Sequence, residues 1–138
     1  PNMTAKKVYE IDGQDFETLD GFYDAISTKL IPGAYWGRNL DAFNDILRGG
    51  FGTPPEGFVL RWKNSKLSAE RLGYAETVRH LELRLKRCHP ENRSRVLEDL
   101  RRAQERQGPT VFDWLVEIIQ IHVAGGPEEE DGVTFELC

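Results

Sequence analysis

Two cysteines, three histidines and one methionine in 138 residues make this chain poor in the side chains that staple, ligate or transfer. Cys88 and Cys138 stand far apart with no Cys-x-x-Cys spacing, and a chain this long builds a core without staples. Both therefore read as free thiols in a reducing compartment. His80, His89 and His122 do not fall at three- or four-residue spacing from one another, so no metal site is expected. No apolar run approaches the roughly 18 residues of a membrane span. The start, Pro1-Asn2-Met3, lacks the charged-then-apolar pattern of a signal peptide. A cytoplasmic protein without membrane contact is expected, and Pro1 and Asn2, which precede a methionine, stay outside the fold reading. The glycine-rich stretch 49–55 is not followed by Gly-Lys-Ser/Thr and opens no helix, which excludes a phosphate-binding P-loop. No Ser/His/Asp or Cys/His constellation and no cofactor fingerprint emerges, so neither catalysis nor a cofactor is expected.

Positive charge is missing altogether from 108–138, which carries seven acids. Residues 1–62 sum to −3, residues 63–107 to +5 and residues 108–138 to −7, giving −5 in all. A nucleic-acid binder concentrates cations on its working face, so this distribution argues against direct nucleic-acid binding. Acidic flanks instead steer a basic partner by long-range attraction. Nine cations run from Arg79 to Arg106, but Glu82, Glu98, Asp99 and Glu105 interleave with them and no aromatics do. They read as solvated helix faces rather than a stacking platform for bases.

At 39% hydrophobic and 30% charged residues, the composition is that of one ordinary globular domain. Residues 7–11 (Lys-Val-Tyr-Glu-Ile) read as a strand that ends at the Asp12-Gly13 turn signal. Thr18 caps a helix in which Leu19, Phe22, Tyr23, Ile26 and Leu30 share one face, stopped by Pro32-Gly33. Phe58-Val59-Leu60-x-Trp62 is a short apolar run of the kind buried on both faces. From Leu67 the chain turns helical: Val78, Leu81, Leu85 and Cys88 form one stripe. After Pro90, the residues Val96, Leu97, Leu100 and Ala103 form a second. Thr110 and Asp113 make a capping box ahead of a mostly apolar helix with Glu117 as its lone acid. An acidic solvated loop, 125–132, then leads to a closing strand over 133–137. The order β-α-α-β-α-α-α-β predicts an α/β fold with a three-stranded parallel sheet flanked by helices.

The stretch most informative about function is Tyr35-Trp36-Gly37-Arg38-Asn39-Leu40-Asp41-Ala42-Phe43-Asn44-Asp45-Ile46-Leu47-Arg48-Gly49. Asn39 is a good N-cap, Leu40, Phe43 and Leu47 fall on one inward face, and Gly49-Gly50 ends the helix. Asp41 and Asp45 share an outward face with Asn44 beside them. Such a pair is common on solvated helix faces, and carboxylates flanking a water also serve glycoside hydrolysis. The adjoining Tyr35 and Trp36, expected outward in a Pro-Gly loop where burying both rings is difficult, give instead the composition of a protein–protein hot spot, the alternative being that one or both, Trp36 above all, cap the core. The pattern aromatic-aromatic-Gly-x-Asn-Leu-Asp-Ala-Phe-x-Asp-x-Leu-x-Gly resembles the inhibitor segment of the barstar family. Weaker similarity runs from Lys6 to Trp62 and resumes in the last strand.

That resemblance implies a single barstar-like domain over 3–138, with 75–112 an enlarged helical region, here without an assigned role. It implies a non-catalytic protein that plugs the active site of a small extracellular guanyl-specific-type ribonuclease, one to one. By position Asp45 takes the site of the substrate phosphate and Asp41 is its companion. Tyr35, Trp36 and Asn44 supply packing contacts, Leu40 and Ala42 lie between them, and Gly37, Asn39 and Gly49 shape the loop and helix ends. Three departures stand out: Asn44 replaces a tryptophan of the best-known pattern, Arg38 an acid and Arg48 a small polar residue. Two arginines facing a cationic cleft should repel it unless the partner carries matching acids. An immunity protein against a different nuclease toxin is the alternative, and a scaffold using the basic helices is a third reading.

Overall fold

The computed structural model describes residues 6–138, so Met3 and its neighbours in the expected domain lie outside the described residues. The first strand, β1 (Val8–Asp12), turns Tyr9 and Ile11 inward and Val8 and Glu10 outward, the two-residue alternation of a pleated strand. The central strand, β2 (Val59–Lys63), pairs in parallel with β1 from Val8↔Val59 to Asp12↔Lys63. It also pairs in parallel with β3 (Thr134–Leu137) from Val59↔Thr134 to Trp62↔Leu137. The sheet order β1-β2-β3, all parallel, is the α/β architecture expected.

β2 is not buried on both faces, contrary to expectation. Leu60 and Trp62 are fully buried, whereas Arg61 on the opposite face is bridged by Glu136 at 2.7 Å and by Glu10 at 3.7 Å. The alternating Arg61 and Lys63 mark that face as open, because burying unpaired charges there would be costly.

On the covered face, α1 (Leu19–Lys29) starts where the Thr18 hydroxyl accepts the Gly21 N–H at 3.0 Å. Leu19, Phe22, Tyr23 and Ile26 form its buried stripe. Phe22 meets Phe43 edge-to-face at 5.2 Å and lies 5.2 Å from Trp62, which meets Phe112 at the same separation. Each such ring contributes about 1.5–3 kcal/mol by leaving water. The indole N–H of Trp62 donates to Ser68 at 2.9 Å, so this aromatic centre holds no orphaned donor.

Four helices, not three, separate β2 from β3: α3 (Ser65–Arg71), α4 (Tyr74–Arg87), α5 (Arg93–Gln104) and α6 (Val111–Gln120). Leu72 and Gly73 divide the first two, and glycine weakens a helix at this point by its backbone freedom. The α4–α5 hairpin, expected over 75–112, leaves the body of the fold at Leu72 and returns at Phe112, whose N–H donates to the Leu72 carbonyl at 3.1 Å. Thr77 accepts the Val111 N–H at 2.9 Å and Tyr74 donates to the Gly108 carbonyl at 2.7 Å, closing its base. Leu81, Leu100 and Ala103 form its own small core, shared with Trp114. Leu97 does not join them: it stays 44% exposed because Val96, Leu100 and Ala103 already fill the inward stripe, one residue out of phase. The hairpin is pinned to α1 by Glu76, whose buried carboxylate accepts the Leu19 N–H at 2.8 Å and is forked by Arg79 at 2.7 Å. Among the described residues no helix is long and apolar enough to cross a membrane, and both cysteines are free.

Candidate functional site

The helix α2 (Leu40–Leu47) has a firm frame at both ends. At its start the Asn39 side chain accepts the Ala42 N–H at 2.8 Å, satisfying one orphan donor of the first turn. Gly37 leaves room for this cap, since a Cβ there would lie 2.9 Å from Asn39 Nδ2. At its end Gly49 turns with φ +92°, and a Cβ would meet Pro55 Cα at 2.8 Å, so only glycine fits. Phe43, Ile46 and Leu47 are buried, Leu40 and Ala42 are half-buried at the edges, and Asp41 and Asp45 are exposed. The carboxylates therefore share the outward face that their four-residue spacing requires.

The two aromatics do not point outward together. Tyr35 is 98% exposed, but Trp36 is 5% exposed. Its indole N–H donates to Ser27 on α1 at 2.7 Å and its ring meets Tyr23 edge-on at 5.5 Å. A loop too short to bury both rings buries one, because Ser27 gives the indole the hydrogen-bond partner it needs in the core. Trp36 is thus a post that holds the loop, and of the two rings only that of Tyr35 is left on the surface.

Both unexpected arginines are neutralised within the chain. Arg38, left-handed at φ +51°, folds back onto α1 and meets Asp24 at 2.6 Å. Arg48 forks Glu128 through Nε at 2.8 Å and Nη2 at 3.0 Å, while its Nη1 reaches one oxygen of Asp45 at 3.0 Å. The Glu128 bond raises the pKa of Arg48, and the same bond lowers that of Glu128, so both stay charged near neutrality. The outward face of α2 accordingly retains its acidic character, with Asp45 held by one oxygen and its second oxygen outside that contact.

Beneath Asp45, Asn44 reaches the fully buried His122. The imidazole Nε2 lies 2.6 Å from Asn44 Oδ1 and Nδ1 lies 2.6 Å from Asp131 Oδ2, tying α2 to the segment after α6. His122, Glu128 and Asp131 stand close enough to ligate a metal, but each is already engaged, by Asn44 and Asp131, by Arg48, and by His122 in turn. The set works as a brace. The acidic loop is therefore only partly solvated: Glu129 and Glu130 are exposed, whereas Asp131 is 17% exposed.

Sequence reasoning missed Ser27, His122, Glu128 and Asp131, all supporting the helix from distant positions. A lone histidine closing an apolar helix ahead of four consecutive acids was the available signal for the last three. Glu117, in the middle of α6, is exposed, as is Asp113 of its capping box. Tyr35, Gly37, Asn39, Leu40, Asp41, Ala42, Asn44, Asp45, Arg48 and Gly49 do lie on one continuous loop-and-helix element with its buried side on the core.

The family described as "Barstar (barnase inhibitor)" matches residues 6–92, from just before β1 through α4. The curated protein "Putative ribonuclease inhibitor YrdF" of Bacillus subtilis (strain 168) is 42% identical over 69 residues, 49% of this chain and 72% of that protein. With more than half of its residues matched by the family and a capped acidic helix where the family pattern runs, the chain belongs to the barstar family.

Proposed function

We propose that this protein is a non-catalytic inhibitor of a small extracellular ribonuclease of the guanyl-specific type, bound one to one inside the cell that must be protected. The helix α2 lies across the enzyme's active site, Asp45 stands where a substrate phosphate would sit, and Asp41 strengthens the field beside it. A ribonuclease binds a polyanion and therefore lines its cleft with cations, which a fixed carboxylate meets by charge-assisted hydrogen bonds. The observation that carries this reading is the pairing of Arg48 with Glu128 and Asp45, and of Arg38 with Asp24, which leaves an acidic face on a helix anchored at both ends. A carboxylate held in place before binding loses little entropy on binding, which is the basis of high affinity from a small surface. Tyr35, already fully exposed, supplies apolar contact at the rim.

The test is inhibition of a panel of small microbial ribonucleases by wild type and Asp45→Ala side by side. Stoichiometric inhibition of one enzyme, weakened at least about 30-fold in the variant, is expected, since a central desolvated charge is worth roughly 2 kcal/mol or more. Inhibition unchanged in Asp45→Ala would refute the phosphate-mimic role, and no inhibition across the panel would refute the ribonuclease assignment.

A further inference from the structure

A cleft of about 690 Å³ opens where α1, the start of α2 and the flank of α4 converge. Asp20 and Tyr23 line it from α1, Arg38, Asn39, Leu40 and Asp41 from the loop and first turn of α2, and Arg79, His80, Leu83, Arg84 and Arg87 from α4. It is continuous with the acidic face of α2, because Asp41 belongs to both. Its cations differ in how far they are committed. Arg38 is engaged by Asp24 and Arg79 by Glu76. Among the described residues Arg84 and Arg87 meet no carboxylate within 4.0 Å, whereas Arg79 on the same helix is paired with Glu76 and Asp20. Arg84 is held in place by the ring of Trp114 at 5.5 Å and lies 3.5 Å from His80. Burial, reinforced by the charge of Arg84, holds His80 below its ordinary pKa, so it stands there as a neutral neighbour.

We propose that this cleft is a second recognition surface, receiving an acidic loop of the inhibited enzyme whose carboxylates pair with Arg84 and Arg87 while the enzyme's cationic centre meets Asp41 and Asp45. The proposal rests on the inhibitor reading of α2 and names what selects the partner. Guanidinium groups suit carboxylates through two parallel N–H···O bonds, and Arg84 is fixed before the partner arrives. A partner basic throughout its rim would place cations against these arginines, which excludes it by repulsion as well as by missing contacts. A nucleic acid fits less well: the tyrosine of the cleft wall, Tyr23, is buried and offers no face for base stacking.

Two experiments test this. In the first, the arginine side-chain NMR signals of the full chain are followed on titration with hexaglutamate and, separately, with hexauridylate. Saturable shifts of the Arg84 and Arg87 Nε–H signals with hexaglutamate, lost in Arg87→Glu, are expected. No response at these signals, or a stronger response to hexauridylate, overturns the proposal. In the second, association with the ribonuclease inhibited in the panel is compared for wild type, Arg84→Glu/Arg87→Glu, Arg87→Glu and Asp45→Ala. The double reversal is expected to weaken binding at least about tenfold, mainly through slower association and a shallower dependence on salt. Arg87 is exposed and unpaired, so the single variant reports even if the double one fails to fold, with a loss of at least about threefold expected. Full affinity in Arg87→Glu alongside a collapse in Asp45→Ala would refute the cleft and leave the helix reading standing. The reverse pattern would refute the phosphate mimic and keep the cleft.

Discussion

Replacing Glu76 by glutamine tests whether the α4–α5 hairpin is locked onto α1 by charge. The Glu76 carboxylate, 6% exposed, accepts the Leu19 N–H at 2.8 Å and two Arg79 N–H groups at 2.7 Å. Glutamine keeps the shape and one acceptor for Leu19 but turns amide hydrogens toward a guanidinium. A hydrogen bond to a charged group is worth about 1.5–3 kcal/mol, and the partial exposure of Arg79 screens this pair, so a loss of about 1.5 kcal/mol is expected. Alanine also strips the cap from Leu19 and should cost about 1–2 kcal/mol more. For a domain of this size those losses lower Tm by roughly 6 °C and 10–14 °C. The pH dependence distinguishes charge from packing. Burial opposes ionisation of Glu76, but the Arg79 fork and the Leu19 N–H outweigh it and hold its pKa below the ordinary 4.5. A depressed pKa means stability that is present above 4.5 and lost as the pH falls through the folded value. Urea unfolding of wild type and Glu76→Gln from about pH 7 down to about pH 3 should therefore show a gap that closes in acid. A gap below about 0.5 kcal/mol at neutral pH, or one that persists unchanged in acid, would refute the reasoning.

Tyr35 and Trp36 should behave oppositely under mutation. Tyr35→Ala leaves urea stability within about 0.5 kcal/mol but weakens ribonuclease binding, whereas Trp36→Ala costs about 3–5 kcal/mol of stability by opening a core cavity. Gly49→Ala places a Cβ against Pro55 at a positive φ and should cost about 1–3 kcal/mol in thermal unfolding. His122→Ala leaves Asn44 and Asp131 without their common partner; a loss of about 2 kcal/mol, with faster amide exchange at residues 121–131, is expected.

Much of the architecture was legible locally. The caps of α1, α2 and α6 depend on a side chain and a backbone N–H three residues away, so Thr18, Asn39 and Thr110 announced them. Three strands separated by helical segments implied a parallel sheet because a parallel return needs a crossover. The acidic face of α2 followed from four-residue spacing alone. The open face of the sheet was also written in Arg61 and Lys63, but the apolar neighbours Phe58, Val59 and Leu60 masked the alternation.

What sequence by itself determined was therefore whatever depends on short range: periods, caps, breakers and the inhibitor segment that marks the family. Tertiary structure alone decided which of two adjacent aromatics is buried, since that depended on Ser27 and Tyr23 nine and thirteen residues earlier than Trp36. It alone showed that Arg48 pairs with Glu128, eighty residues away, and that Arg84 and Arg87 share a cleft with Asp41. Charges act through space and not along the chain, so their partners, and hence the sign of the face a ligand meets, appear only once the chain is folded.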